Sequence, residues 1–342
     1  MRRVEISGWI TNPAEIAVSE GNAPVCNRNE VCVAVKAAAI TFSLWLLIQG
    51  KYQRKPQLPF CPGSFIAGQI TKIGQDVRHF KVGDCVIATA EKGGLAEEAV
   101  VNEGNVYSMP ARIPFVDAVG LGSAYSTALA ALTWPRILNV KPQDTLLVHG
   151  ASGALGAAAI EIGRALGANV IATARSPEKR EWARSIGAHH AIDPSVETLR
   201  EHIYRLTEAK GVDAVFDPVG GALFNESLRC MRANGRIVPI GFASGDIPRI
   251  EVNYLLLKNL SVCGLSMGHY RRTERERYDD LLREDYAKLA DWHQAGLINP
   301  KKTKVFPLTQ ISEAFTLLIS GERSGSVVVL PDEQCGQSDG ER

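Results

Sequence analysis

The stretch LLVHGASGALGAAAIEIGRALGANVIATARS, residues 146–176, constrains the fold of this chain more than any other. An apolar run leads into a glycine-rich turn, then a small-residue helix pattern, then a second apolar run, which is the order of a strand, a crossover helix and a parallel strand. Gly150, Gly153 and Gly156 fall where strand becomes helix. Backbone amides there can approach a ligand with no side chain in the way, and the helix N-terminus adds partial positive charge. Such a turn suits a pyrophosphate, with Ser152, Gly153, Ala154 and Leu155 supplying its backbone. The spacing is G-x-x-G-x-x-G rather than G-x-G-x-x-G, and either pattern alone is a weak signal. Context strengthens it, because Ala157, Ala158 and Ala159 let the helix lie close on a sheet.

The second run ends about 20 residues on, where an NAD-binding site usually presents an acid to the ribose hydroxyls. Here the end is Ala174-Arg175-Ser176. A guanidinium and a hydroxyl grip a 2′-phosphate that an Asp would repel, so the expected cofactor is NADPH. Lys179, one helical turn further, either adds charge or is simply solvated. The alternative for the whole stretch is a structural strand-turn-helix with a solvated Arg175.

The rest of the chain supplies the other strands. Up to about residue 120, short β-rich runs alternate with turn signals: EVCVAVKAAAI, FIAGQITKIG, GDCVIATA and AEEAVV. Beyond it, strands are expected at Thr145–His149, Val170–Thr173, His190–Ile192, Ala214–Asp217, Arg236–Ile240 and Ser261–Cys263, alternating with helices. That alternation calls for a parallel sheet covered on both faces. A charged helix follows in RRTERERYDDLLREDYAKLADWHQAG, then a strand near Lys304–Pro307 and a closing GSVVVL before a polar tail.

At 342 residues the chain can form two domains, and a formal net charge of +1 gives no electrostatic case for nucleic acid or an anionic membrane. Partners are expected to be small molecules. The cysteines Cys26, Cys32, Cys61, Cys85, Cys230, Cys263 and Cys335 show no paired spacing and read as reduced, intracellular thiols. MRRVEISGW lacks an apolar leader core and no uninterrupted apolar run approaches about 18 residues, so the expected location is the cytoplasm.

Beyond residues 146–176, the blocks GVDAVFDPVGGALFNESLRCMRANGRIVPIGFASGDIPRI, LLLKNLSVCGLSMGHY, LPFCPGSFIAGQITKIGQDVRHFKVGDCVIA, GGLAEEAVV and SAYSTALAAL extend over nearly the whole chain. Together they resemble the zeta-crystallin-like NADPH:quinone oxidoreductase family, the zinc-independent branch of the medium-chain dehydrogenase/reductase superfamily. The resemblance implies an α/β fold: a Rossmann doubly wound parallel sheet at 123–265, plus a mostly-β, GroES-like catalytic domain formed by 1–122 and 266–342. It also implies a cofactor cleft between the two domains and a homodimer through the Rossmann sheet edge at Ser261–Cys263. An uncovered edge strand would otherwise invite uncontrolled pairing.

By motif, the resemblance places Thr127 near the nicotinamide, Val219 near the ribose, Phe242, Ala243 and Ser244 along the dinucleotide, and Leu265 and Ser266 at the nicotinamide face. The Tyr that many NADPH-dependent members carry after GAxxxI is Pro194 here, and their C-terminal Arg appears only as Arg323, slightly out of register. Zinc-dependent relatives place a Cys in the segment aligned with AAAITF and a His-Glu pair near PGSF. Those ligands are absent, and His79, His149 and Cys85 lack partners at metal spacing. The expected chemistry is zinc-free hydride transfer to an activated acceptor, a quinone or an α,β-unsaturated carbonyl.

The implied substrate pocket departs from the family at Thr41, Leu44, Leu46 and Phe65, each apolar or less polar than usual, with Trp45 beside them. A hydrophobic or aromatic acceptor is expected. Thr41, Tyr52 and Tyr125 are the candidate catalytic groups, the tyrosines as proton donors, although plain packing is the commoner fate of Tyr and of Leu44 and Trp45. Two other functions stay open at this point: an NADPH-binding protein whose catalysis has lapsed, and a dedicated biosynthetic enoyl reductase.

Overall fold

A computed structural model describes residues 1–194, 199–300 and 302–331. These divide into two compact units, residues 1–123 with the described residues from 300 onward, and residues 124–299.

In the first unit, Val-, Ile- and Ala-rich segments with period-two alternation pair into a seven-stranded sheet. Its order is Lys302–Pro307, Ser326–Leu330, Glu30–Ile40, Phe65–Ile73, Cys85–Thr89 and Val106–Ser108, with Glu98–Asn102 also paired to the long strand Glu30–Ile40. Only the two C-terminal strands run parallel to each other; the other pairings are antiparallel. Val31, Val33, Val35, Ile66, Ile70, Val86 and Val101 fill the core, closed by Phe306, Phe315, Leu44 and Trp45.

In the second unit, six strands form a sheet whose described pairings are all parallel. Its order is His190–Ile192, Asn169–Thr173, Thr145–Val148, Val212–Asp217, Met231–Pro239 and Ser261–Val262. Numbered along the chain within this unit, that order is 3-2-1-4-5-6, the doubly wound Rossmann arrangement. Strand order reverses between Thr145–Val148 and Val212–Asp217, so the crevice beyond their carboxyl ends is where this architecture binds ligands. Leu147, Ile171, Val215, Ile237, Phe224 and Leu228 build one side of its core. The helix Ala154–Ala165 buries Gly156 through Gly163 continuously, as the alanine run requires.

All six expected strands of this sheet are present. The expected limit at 266 is corrected: residues 266–299 belong with the parallel sheet rather than with the mostly-β unit. Within the helix Arg275–Gln294, Leu282, Asp285, Tyr286 and Leu289 are buried on one face. Asp285 accepts a hydrogen bond from the Trp134 indole at 2.9 Å, inside the second unit.

The six described cysteines are free thiols. Cys335 and the polar tail from residue 332 lie outside the described residues. Burial pushes the Cys61 and Cys230 thiols up to about 12, which keeps them unreactive. Residues 115–133 form a helical stretch long and apolar enough to cross a membrane by length and composition, and 78% of its apolar window is buried inside the protein. Burial of that extent is the mark of a core helix.

Candidate active site

The glycine turn lies at the switch point of the parallel sheet. Gly150 has φ +59°, and a Cβ there would stand 3.2 Å from Pro218 Cγ and 3.3 Å from Val219 Cγ2. The turn after the first strand therefore touches the turn after the fourth. Gly156 is required differently, because a Cβ on it would meet the Gly150 carbonyl oxygen at 2.3 Å, so this residue lets the helix start directly against the turn. Gly153 is the N-cap, with φ −78° and ψ 162°. A Cβ on it would meet only Gly150 O, at an ordinary 3.4 Å.

The Gly153 amide donates to Gly150 O at 2.9 Å, and that of Ala151 to Thr173 O at 3.1 Å. The amides of Ser152, Ala154 and Leu155 have no acceptor among the described residues. Three unpaired donors at the positive end of a 12-residue helix form an anion seat.

The facing turn is tied by Asp217. Its carboxylate accepts from the Val219 amide at 2.7 Å and the Gly220 amide at 3.0 Å. Pro218 O and Val219 O accept from the Ala243 and Ser244 amides at 3.1 and 3.0 Å, which joins the FDPVGG and GFASG blocks at one place. Ser266 caps the helix Met267–Arg272, and Leu265 precedes it beyond the edge strand. Thr127 lies in the helix Ser126–Thr133.

Beneath the glycine turn sits His149, fully buried. Ser227 donates its hydroxyl hydrogen to Leu223 O at 2.7 Å, so its oxygen accepts from His149 Nε2–H at 2.7 Å. Nδ1 then accepts from the Thr173 hydroxyl at 3.0 Å. Burial holds this imidazole down to about 4, against a weaker opposing pull from Asp217, and keeps it neutral.

At the end of the second strand, Arg175 is exposed and its side chain has no partner among the described residues. Ser176 caps the helix Pro177–Ser185, its Oγ accepting from the Lys179 amide at 3.3 Å. Glu178, in that helix's first turn, is held below the usual carboxylate range by its own backbone amide and by the Ser176 hydroxyl. The charged group acting on this carboxylate is Arg180. Arg323 is spent within the first unit, on Leu318 O and Gly325 O at 3.4 and 2.6 Å.

The pocket residues named from the sequence divide. Thr41 is the N-cap of the helix Phe42–Ile48; its Oγ1 accepts from the Leu44 amide at 3.2 Å and pairs with Ser43 Oγ at 3.0 Å. Leu44 and Trp45 are buried in the core, with the Trp45 ring 5.9 Å from that of Phe315. Packing is therefore what the structure shows for both. Leu46 and Phe65 are half-buried, and Tyr52 is exposed. Tyr125 is buried in the second unit, where its hydroxyl donates to Glu161 Oε2 at 2.6 Å. The same carboxylate oxygen accepts from the Asn299 amide at 2.8 Å, so this tyrosine braces the helix Ala154–Ala165. Among the described residues no group of three or more His, Cys, Asp and Glu could hold a metal ion.

Asp217, His149 and Glu161 carry the site's geometry; the first and last were not singled out from the sequence, and His149 was named only as lacking partners at metal spacing. Asp217 lay in the quoted FDPVGG block, whereas the partners of His149 and Glu161 stand 24 to 138 residues away, beyond any local spacing.

A parallel sheet of 3-2-1-4-5-6 order with an anion seat at its switch point, joined in one chain to a mostly-β unit, defines a medium-chain dehydrogenase/reductase architecture. Family comparison agrees: the alcohol dehydrogenase GroES-like domain matches residues 27–111, and the zinc-binding dehydrogenase family matches 154–284. A quinone oxidoreductase-like protein 2 homolog of Nematostella vectensis is 36% identical over 304 residues, 88% of this chain and 81% of that protein. Human quinone oxidoreductase is 28% identical over 308 residues, 90% of each chain. The crystal structure of Escherichia coli quinone oxidoreductase complexed with NADPH matches with a TM-score of 0.88 at 27% identity, covering 97% of this chain and 100% of that one. The chain belongs to the quinone oxidoreductase family of the medium-chain dehydrogenases and reductases.

Proposed function

We propose that this protein is an NADPH-dependent reductase that delivers hydride to a quinone or an α,β-unsaturated carbonyl compound, without zinc. The observation that carries the reading is the seat at the switch point: unpaired amides of Ser152, Ala154 and Leu155 beside a Gly150 turn that abuts Val219. These residues fit a dinucleotide. The amides suit its pyrophosphate, and the exposed Arg175 with the Ser176 hydroxyl suits a 2′-phosphate. The bound cofactor supplies the hydride. The chain's part is to seat and orient it, with Asp217 holding the Val219 turn and neutral His149 holding the floor.

The zinc-free reading is supported by the missing ligands in the sequence and by the lack of a ligand cluster among the described residues. No proton donor is assigned from the second unit, where the Tyr125 hydroxyl is committed to Glu161, so solvent is the proposed proton source. Free thiols, one of them the exposed Cys85, and an even charge balance support a cytoplasmic place for the protein.

Purified protein supplied with NADPH is expected to oxidise it in the presence of quinones and enones, read as loss of reduced-nicotinamide absorbance. No turnover across such a panel would overturn the reading. One observation favours a second: of the residues expected at the acceptor, Leu44 and Trp45 are packed in the core of the first unit and the Tyr125 hydroxyl is bound to Glu161 in the second. NADPH uptake without turnover would then select a binding protein with lapsed catalysis.

A further inference from the structure

We propose that Arg180, paired with Asp193, is a positioning residue that aims Arg175 and so sets the preference for a phosphorylated over an unphosphorylated ribose; this rests on the 2′-phosphate reading above. Arg180 lies on the helix Pro177–Ser185, behind the end of the second parallel strand. Its Nη1 donates to Ala174 O at 3.1 Å, Arg175 O at 2.6 Å and Asp193 Oδ2 at 2.8 Å. Ala174 O and Arg175 O belong to the two peptide planes that flank the Arg175 Cα. Fixing both carbonyls on one guanidinium fixes φ and ψ at Arg175, and with them the direction in which its side chain leaves the backbone.

Two further contacts close the frame. The Ala174 amide donates to Ile192 O at 3.1 Å, and Ser176 caps the helix that carries Arg180. The pair is mostly enclosed, with side-chain exposures of 19% for Arg180 and 12% for Asp193. Asp193 balances the Arg180 charge, so the guanidinium contributes placement while Arg175, exposed, contributes the charge. One amino group, Nη1, meets all three oxygens. It is placed there by a rigid guanidinium on a side chain one atom longer than that of lysine, so an ammonium group does not reach the same position.

The test uses 2′,5′-ADP and 5′-AMP, the adenosine ends of the two coenzymes, titrated calorimetrically into the full-length protein. The wild type is expected to bind 2′,5′-ADP more tightly by about tenfold or more, the scale of charged hydrogen bonds. Arg180→Met combined with Asp193→Asn removes the pair without leaving a buried charge unpaired. This double variant is expected to lose most of the discrimination, with 5′-AMP affinity within about twofold of wild type. Arg180→Lys, which retains the charge, is expected to fall between the two and covers the case in which the double variant does not fold. Discrimination unchanged in a folded variant, or equal losses for both nucleotides, would overturn the positioning role. A wild type that binds both nucleotides equally would remove the phosphate reading itself, and the proposal with it.

Discussion

Two buried titratable residues of the second unit pull its acid stability in opposite directions. His149 is held from 6.5 down to about 4 by burial, so the folded state refuses a proton that the unfolded chain accepts, and stability is lost as pH falls across that interval. Asp285 is pushed by burial from 3.8 up to about 6, with the Trp134 indole only partly compensating. Its ionised form costs stability above that value, and the cost disappears as pH falls toward 3.8. Each contributes a slope of about 1.4 kcal/mol per pH unit, and the two nearly cancel over the shared interval. Asp285→Asn keeps an acceptor for Trp134 and removes the ionisation. It is expected to be more stable than wild type by about 3 kcal/mol at neutral pH, and to lose that advantage progressively in acid, where the His149 slope is exposed. Urea denaturation at pH 7 and pH 5 checks this; a gain that is the same at both would contradict it. At this scale the sequence was least informative. Arg175 and Ser176 were legible because they end a strand, whereas Arg180 and Asp193 meet only once strand and helix have folded back together.

Among elements, legibility followed periodicity. The strand His190–Ile192 has the expected limits, and the first strand differs by one residue. Met231–Pro239 begins five residues before the expected Arg236, because its first part pairs through a register shift and passes Asn234 at φ +65°, which no alternation announces. The charged helix Arg275–Gln294 was assigned to the other unit by the family resemblance, whereas Leu282, Asp285, Tyr286 and Leu289 on its buried face pack within the unit of the parallel sheet. The edge strand Ser261–Val262 ends the parallel sheet as expected. Just before it, the helix Asn253–Lys258 exposes Leu256 at 80% and Leu257 at 75%, with Val252 at 72%. Apolar side chains that open, next to an edge unpaired among the described residues, support the proposed homodimer. Light scattering is expected to give a dimer mass for the wild type and a monomer mass for Leu256→Glu combined with Leu257→Glu. A monomeric wild type would contradict the proposal.

For the whole molecule, the class of fold was readable because a glycine turn between two apolar runs admits few architectures, and the alternation that followed it named the parallel sheet. The fate of the expected pocket residues was not, since Leu44 and Trp45 pack in the core of the first unit and Tyr125 is buried in the second, which no spacing reveals. The proposed function requires that the entire chain hold NADPH by the turn at Gly150–Gly156. The direct measurement is a calorimetric titration of NADPH into the wild type and into Gly153→Ala, a substitution the protein itself accommodates because the added Cβ meets only Gly150 O at 3.4 Å. The expected result is saturable uptake by the wild type and uptake weaker by about tenfold in a variant of unchanged melting temperature, because the methyl group stands where the pyrophosphate must approach the backbone. Absence of heat in the wild type, or equal affinity in the folded variant, would contradict the account.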